Sequence, residues 1–285
     1  MEICAIILNY FGHSDTIACA ESLLEDESPE QIVIVENSAN QEEQGKIESR
    51  FFDRKRIRML CPGKNLGFAG GVNFALSSIG ISAFEAFLIL NNDTLVPAST
   101  VRHLERRLSS GDFGFVAPII YDYPEASLIW SKGNYYNRFT GLISDLPLVS
   151  MPGNLYYLTG CCLLIRSTVF ETIGLFDEAF FMYGEDVEFC FRAAKRGLKY
   201  GLVPEAKIFH KGSGSSINNS LFYEYHMCRS HLLLCGKLAR DPKDLWINLI
   251  VKLVMLSLRA VWRALRYGNL NSLQGLRLSM SGSIH

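Results

Sequence analysis

The sequence predicts an α/β fold in which a mostly parallel sheet carries a mixed extension and leads into C-terminal helices. Three observations carry that expectation. Short apolar runs alternate with helix-period segments through the first hundred residues. Several of those runs end directly in polar clusters. From about residue 219 onward the strand patterns stop and only helical ones remain. Alternating strands and helices at this spacing require parallel strands joined by crossovers.

Residues 3–8 (ICAIIL) form a continuous apolar run, the mark of a strand buried on both faces. Ser14 or Asp15 caps a helix running to about Leu24. A second strand at 31–35 ends at Glu36-Asn37-Ser38, and a third covers 57–61. A glycine-rich turn then opens a helix from about Gly70 to Ser78. The fourth strand, 86–90 (AFLIL), runs straight into Asn91-Asn92-Asp93, and a helix follows at 98–108. Strand-like runs at 113–120, 127–131 and 156–165 read as the mixed extension, with a loop at 133–154. A helix from Glu185 to Arg196 has acids at its start and stops at Gly197. Strands at 199–203 and 206–209 lead to His210, and helices follow at about 219–238, 243–267 and 270–280. The expected division is a catalytic domain over 1–215 and a helical region over 216–285.

With 285 residues, 48% hydrophobic and 12% aromatic, the chain has enough apolar material for a sizeable core and is not a disordered protein. A net charge of −1 gives no reason to expect a nucleic-acid partner. The charge is uneven, however: residues 237–285 hold eight Lys/Arg against Asp241 and Asp244, a net of +6. No secretory leader is expected, since Glu2 stands where a basic start belongs. No charge-free apolar stretch is long enough to predict a membrane-spanning helix. The eight cysteines form no C-x-x-C pair and read as the reduced thiols of a cytosolic protein. His226, Cys228, His231 and Cys235 share a helical face suited to zinc, but their neighbours have the pattern of ordinary core.

The polar clusters sit where an open α/β sheet binds ligands, at the carboxyl ends of its strands. Glu36 there can accept hydrogen bonds from the vicinal hydroxyls of a ribose, or stand as a solvated acid. The turn after the first strand, Asn9-Tyr10-Phe11-Gly12-His13, lacks the glycines of a dinucleotide site, so a nicotinamide enzyme falls away. In the turn Gly63 to Asn73, glycines let backbone N–H groups approach an anion, although a plain helix start reads the same way. Asp93 offers a hard oxygen ligand for Mg2+ or Mn2+ bridging a diphosphate; a capped turn is the alternative. Glu185 and Asp186 stand at a helix start just after the aromatic run Phe180 to Tyr183: acids there stabilise the helix, or one of them, partly desolvated, suits general-base work. His210 gains a ligand role only if Asp93 lies opposite it.

Taken in order, these clusters resemble the inverting family 2 glycosyltransferases of GT-A fold, in particular the bacterial rhamnosyltransferase-like branch. The resemblance runs over about residues 3–215. It rests on Ile7-Leu8-Asn9-Tyr10, Val35-Glu36-Asn37-Ser38, Asn65 to Asn73, Leu90-Asn91-Asn92-Asp93-Thr94, Thr159 to Arg166, Gly174 to Glu178, Phe181-Met182-Tyr183-Gly184-Glu185-Asp186 and Pro204 to His210. It implies a Rossmann-like sheet and a nucleotide-diphosphate sugar donor held by Asn9, Tyr10, Glu36, Asn37, Asn65, Gly67, Phe68, Asn73, Asn91, Asn92 and Arg229. It implies Mg2+ or Mn2+ at Asp93 and His210, and Asp186 as the base that deprotonates the acceptor hydroxyl. Asn91 stands where the family's Asp-x-Asp motif has its first acid, and Ser230 where Asn usually follows Arg229.

The implied activity is transfer of a sugar, rhamnose first among candidates, to a glycan or polyprenyl-linked glycan in assembly of a surface polysaccharide such as O-antigen or capsule. Rival readings are a sugar-nucleotide nucleotidyltransferase and an inactive sugar-nucleotide-binding module. In 243–267, Lys252, Arg259, Arg263 and Arg266 fall on one helical face among apolar residues and tryptophans. That pattern fits peripheral contact with an anionic membrane, or packing on the catalytic domain or on a second subunit in a homodimer. The expected location is cytoplasmic, at the inner face of the membrane.

Overall fold

A computed structural model describes residues 1–25, 28–124, 127–145, 152–212 and 219–282. Its strands, in chain order, are β1 (Ile3–Asn9), β2 (Gln31–Glu36), β3 (Ile57–Leu60), β4 (Ala86–Asn91), β5 (Thr94–Leu95) and β6 (Phe115–Asp122). They continue with β7 (Ile129–Ser131), β8 (Asn134–Asn137), β9 (Ile143–Ser144), β10 (Asn154–Tyr157), β11 (Cys162–Arg166) and β12 (Tyr200–His210). The chain divides into two compact units: residues 1–133, 158–176 and 192–215 form the first, and 134–157, 177–191 and 216–285 the second. The sequence places a division at 215/216; segments 134–157 and 177–191 also cluster with the helices beyond it.

The first unit is built on one sheet in the order β3-β2-β1-β4-β11-β6-β12-β5, with β7 beside β6. The strands β3, β2, β1 and β4 are parallel, as alternation with helices requires. β11 enters antiparallel between β4 and β6, which makes the extension mixed. Ile3 to Ile7 of β1 are wholly buried, as their unbroken apolar run demands. The flanking helices are α1 (His13–Leu24), α2 (Gln41–Phe51), α3 (Gly67–Ile79), α4 (Thr100–Ser109) and α5 (Ser167–Ile173). α2 escaped the sequence reading because its composition is mostly polar; its start is fixed by Asn40, whose side chain accepts from the N–H groups of Glu42 and Glu43. α3 begins three residues earlier than expected. Asn65 explains this, taking the Gly67 N–H at 2.9 Å and closing the turn.

Helix α6 (Glu185–Lys195) belongs to the second unit as far as Phe191. That unit holds a small sheet, β10-β8-β9, and the helices α7 (Leu221–Lys237), α8 (Pro242–Tyr267) and α9 (Asn271–Ser281). Two expectations change here. The segment 133–154 is not all loop, since β8 and β9 lie within it, and the run 156–165 is two strands, β10 and β11, separated at 158–161.

Helix α8 corrects two further expectations. By length and composition it is apolar enough to cross a membrane, with a mean hydropathy of 1.7 over its best window, although the sequence reading expected no such helix. Its basic residues also do not form an outer face. Lys252 is fully buried and donates to the Tyr136 hydroxyl at 2.8 Å. Arg259 and Arg263 both donate to Glu224 of α7, at 2.7 and 2.5 Å. Asp244 lies buried against Arg138 in a two-pronged ion pair. Asp244, Lys252, Arg259 and Arg263 are turned inward, while Arg266 is exposed together with most of the apolar residues.

Candidate active site

In the first unit, the carboxyl ends of the parallel strands meet in a network of amides and acids. Asn9 ends β1 with no exposed surface. Its amide donates to Glu36 and, at 3.2 Å, to Glu43, while its carbonyl oxygen accepts from Thr16 Oγ1 at 2.7 Å. Glu36 ends β2 and is buried; besides Asn9 it accepts from the Ser38 N–H at 2.7 Å and from the Ser38 hydroxyl. Glu43, which the sequence reading missed with its helix, also takes the His13 ring at 2.7 Å and the His13 N–H at 3.0 Å. Burial works against its charge, yet the bonds from His13 and Asn9 hold its carboxyl below the ordinary value.

A second network braces the glycine turn. Asn37 donates to Gly67 O at 3.0 Å and to Asn65 Oδ1 at 3.2 Å, and accepts from the Leu66 N–H at 3.0 Å. A Cβ at Gly71 would stand 2.9 Å from a terminal methyl of Leu8 on β1, so a side chain there would make Leu8 shift. Asn73, expected on the donor, grips the backbone of Phe176 with its amide, donating at 2.9 Å and accepting at 3.1 Å. Tyr10 after β1, Asn65 in the glycine turn and Phe68 at the start of α3 are half-buried.

At the end of β4, Asn92 also serves the fold: its amide donates to Thr16 Oγ1 at 3.1 Å and Gly12 O at 3.4 Å. Asn91 is half-buried. Asp93 and His210 come together because β5 pairs antiparallel with the end of β12, with Thr94 opposite His210. Their side chains are nearly buried, and His210 Nε2 lies 3.1 Å from Asp93 Oδ1. The Trp130 ring covers His210 at a centroid distance of 4.6 Å. His210 Nδ1 is buried without a hydrogen-bond partner. A carboxylate and an imidazole side by side suit Mn2+ or Mg2+, and two neighbouring ligands of an octahedral ion with bonds of about 2.1 Å stand about 3 Å apart. Among the described residues no group of three or more His, Cys, Asp or Glu converges. The zinc-suited set on α7 is accordingly used otherwise: His231 bonds the Tyr136 hydroxyl at 3.0 Å and Cys228 lies in the core.

Asp186 and Arg229 belong to the second unit. Asp186 stands in the first turn of α6, after two residues of positive φ, Tyr183 at 70° and Gly184 at 88°. A Cβ at Gly184 would collide with Ser230 Oγ on α7, so this turn is fixed by close helix contact. Burial, and then the charge of Asp186, push the neighbouring Glu185 carboxyl up to about 8. Glu185 Oε2 is buried without a hydrogen-bond partner. The Tyr157 hydroxyl is driven far above its usual value by burial and then by Asp186. Arg229 is half-buried on α7 beside His226, whose ring is held down to about 4 by burial and by that guanidinium. Glu185 is a titrating group that sequence reasoning passed over, although its place beside Asp186 at a helix start was visible.

Comparison with known proteins decides the class. Residues 86–278 match the family described as glycosyl transferase family group 2. The chain belongs to that family. This glycosyltransferase is 28% identical over 216 residues to the low-salt glycan biosynthesis hexosyltransferase Agl10 of Haloferax volcanii, covering 73% of this chain and 67% of that one. It is 27% identical over 215 residues to the N-acetylglucosaminyl-diphospho-decaprenol L-rhamnosyltransferase of Mycobacterium tuberculosis, covering 67% and 69%. A dTDP-rhamnosyl transferase, RfbF of Shigella flexneri, matches at 20% over 220 residues, covering 72% and 71%. These relatives place the glycosyltransferase in the rhamnosyltransferase-like branch. Its fold is GT-A. The crystal structure of GalNAc-T7 with UDP, GalNAc and Mn2+ superposes with a TM-score of 0.69 at 13% identity, covering 99% of this chain and 56% of that one. The mannosyltransferase PcManGT of Pyrobaculum calidifontis, in complex with GDP-Man and Mn2+, gives 0.60 at 13% identity, covering 100% and 81%.

Proposed function

We propose that this glycosyltransferase inverts the anomeric centre of a sugar as it moves it from a nucleoside diphosphate to a hydroxyl of a glycan or polyprenyl-linked glycan. The observation that carries the reading is the apposition of Asp93 and His210, with a buried ring nitrogen of His210 left over. Those two residues would hold Mg2+ or Mn2+, the remaining ligands being diphosphate oxygens and water, as is usual for such ions. When bound, the cation supplies positive charge against the diphosphate that forms as the sugar leaves. Tyr10, Asn65, Phe68 and Asn91 would face the donor, on strand ends and a glycine turn held in place by Asn9, Glu36, Asn37, Gly67 and Asn92. Arg229 would add charge against the diphosphate. Asp186 accepts the proton of the attacking hydroxyl. A single displacement inverts the centre and needs no enzyme nucleophile.

Rhamnose on a deoxythymidine diphosphate carrier is the first donor to test, as the names of two relatives support. We assign the reaction to surface-polysaccharide assembly on the cytoplasmic side of a membrane, where a polyprenyl-linked acceptor would be presented.

The test uses the full chain with a panel of nucleotide sugars and a lipid-diphosphate-linked N-acetylglucosamine acceptor. Asp186→Asn should lower transfer by about a hundredfold to ten-thousandfold while the donor still raises the melting temperature. Asp93→Ala and His210→Ala should abolish the cation dependence of that shift. Near-normal transfer by Asp186→Asn, or a product with retained anomeric configuration by NMR coupling, would overturn the mechanism.

A further inference from the structure

Helix α8 turns Asp244, Asn248 and Lys252 inward and a row of large apolar residues outward, and this face points to a lipid surface. Ile247, Ile250, Val254, Leu258, Val261 and Leu265 are each between 51% and 80% exposed. Their spacing of three, four, four, three and four residues lines them along one helical face. Trp246 and Trp262 flank that face near its two ends, at 63% and 53% exposure. The opposite side is anchored within the second unit, where Asp244, Asn248, Lys252, Leu256 and Ala260 are buried. Glu224 holds Arg259 and Arg263, and Tyr136 holds Lys252, so the helix cannot roll without breaking charged contacts.

Charge selects the occupant. From Leu245 to the end the chain has five basic residues and no acid. Lys252, Arg259 and Arg263 are engaged inside, which leaves Arg266 and Arg277 exposed, with Arg240 and Lys243 at the start of α8 and Asp241 as the exposed acid there. A second copy laid against this face would meet like charges, because Asp244 is buried against Arg138 and Asp241 at the α8 N-cap is the one exposed carboxylate that α8 and α9 offer among the described residues. An anionic lipid surface complements it. At 26 residues α8 is about 39 Å long and apolar enough to span a bilayer, but its anchored side carries buried charge that hydrocarbon would not tolerate. A helix with one apolar face and one polar, occupied face lies in the interface plane.

We propose that the exposed face of α8 embeds in the headgroup region of an anionic bilayer, with the helix parallel to the membrane and its arginine–glutamate side turned toward the protein. This goes beyond the proposed activity and rests on it only in that a lipid-linked acceptor would be presented at that surface.

The test is flotation of the full chain with vesicles of phosphatidylglycerol and phosphatidylcholine, against phosphatidylcholine alone. Binding should favour the anionic vesicles and bring a blue shift of tryptophan emission that disappears in Trp246→Phe with Trp262→Phe. Lipids brominated high on the acyl chain should quench that emission more than lipids brominated near the bilayer centre. Ile250→Glu with Leu258→Glu should weaken binding at least about a hundredfold, the cost of withdrawing two aliphatic side chains from an apolar phase. Arg266→Gln and Arg277→Gln should each weaken binding to anionic vesicles by about fivefold.

Every variant should keep the donor-induced thermal shift, which reports folding and donor binding independently of lipid. Flotation without any donor shift in the wild type would support docking and count against the donor assignment. Failure to float, strongest quenching at the bilayer centre, or a tryptophan shift produced by dimerisation in lipid-free sedimentation would overturn the docking.

Discussion

Replacing Glu224 by Gln tests what orients α8. The carboxylate is wholly buried and accepts from Arg259 at 2.7 Å and Arg263 at 2.5 Å, whose side chains are 25% and 12% exposed. Gly275 of α9 lies against it, because a Cβ there would stand 2.7 Å from the Glu224 Cβ; three helices therefore meet at this point. Gln preserves the volume but offers one acceptor oxygen to two guanidiniums and turns an NH2 toward one of them. Breaking a buried pair from one side costs about 3–5 kcal/mol, and the partial exposure of Arg259 favours the lower figure. At about 2–4 °C per kcal/mol the melting temperature should fall by about 6–12 °C. The assay is a far-UV circular dichroism melt of the full chain, with a double-mutant cycle against Arg263→Met. The double variant should be less destabilised than the two single changes summed, because each single change strands the other partner. A Glu224→Gln melting temperature within about 2 °C of wild type, or strict additivity in the cycle, would refute the argument that this pair fixes the helix.

Other expectations follow from the second unit. Burial holds His226 down to about 4 and His231 to about 3, so both fold neutral, while the unfolded chain takes up protons below about 6.5. Their stability contribution is therefore present above that pH and lost as pH falls through the folded values; urea melts should show the loss, less steep in His226→Phe. Burial also lowers Lys252 to about 8, so the unfolded chain binds more protons between 8 and 10.5 and stability should rise with pH across that window. Lys252→Met should remove that slope and raise neutral-pH stability by up to about 3 kcal/mol, less the lost bond to Tyr136; a destabilised Met variant would sink the reasoning. Gly184→Ala should lower both the melting temperature and transfer, since it adds positive-φ strain to a clash with Ser230, and Ser230→Ala in the same chain should recover part of each. Unchanged transfer in Gly184→Ala would separate that turn from the placement of Asp186.

Much of the sheet was legible because fully buried parallel strands leave unbroken apolar runs, as in Ile3 to Ile7 and Ala86 to Leu90. The polar punctuation after them was legible for the same reason: a hydrophilic cluster directly behind a buried strand marks its exit. α2 was not, because its 11 residues bury only Glu43, Ile47 and Phe51. The strands inside 133–154 were missed because two- and four-residue strands leave no period to read. Among the expected donor ligands, residue type was informative and role was not. Asn9, Asn37 and Asn92 at strand ends and Asn73 within α3 are amides whether they touch a ligand or hold the chain, and their hydrogen bonds in the structure hold the chain.

By itself the sequence determined the chain order of the strands in the parallel half, the family, and the residue types gathered at the strand ends. Those are local properties: apolar period, capping residues and short motifs act over a few positions. Tertiary structure decided which side of α8 faces inward, because Lys252, Arg259 and Arg263 find partners more than thirty residues away at Tyr136 and Glu224. It also decided that Asp93 meets His210, through the pairing of β5 with β12. A helical wheel ranks faces by composition alone, whereas a buried cation with a fixed carboxylate or hydroxyl is satisfied away from water, and only the folded chain supplies that partner.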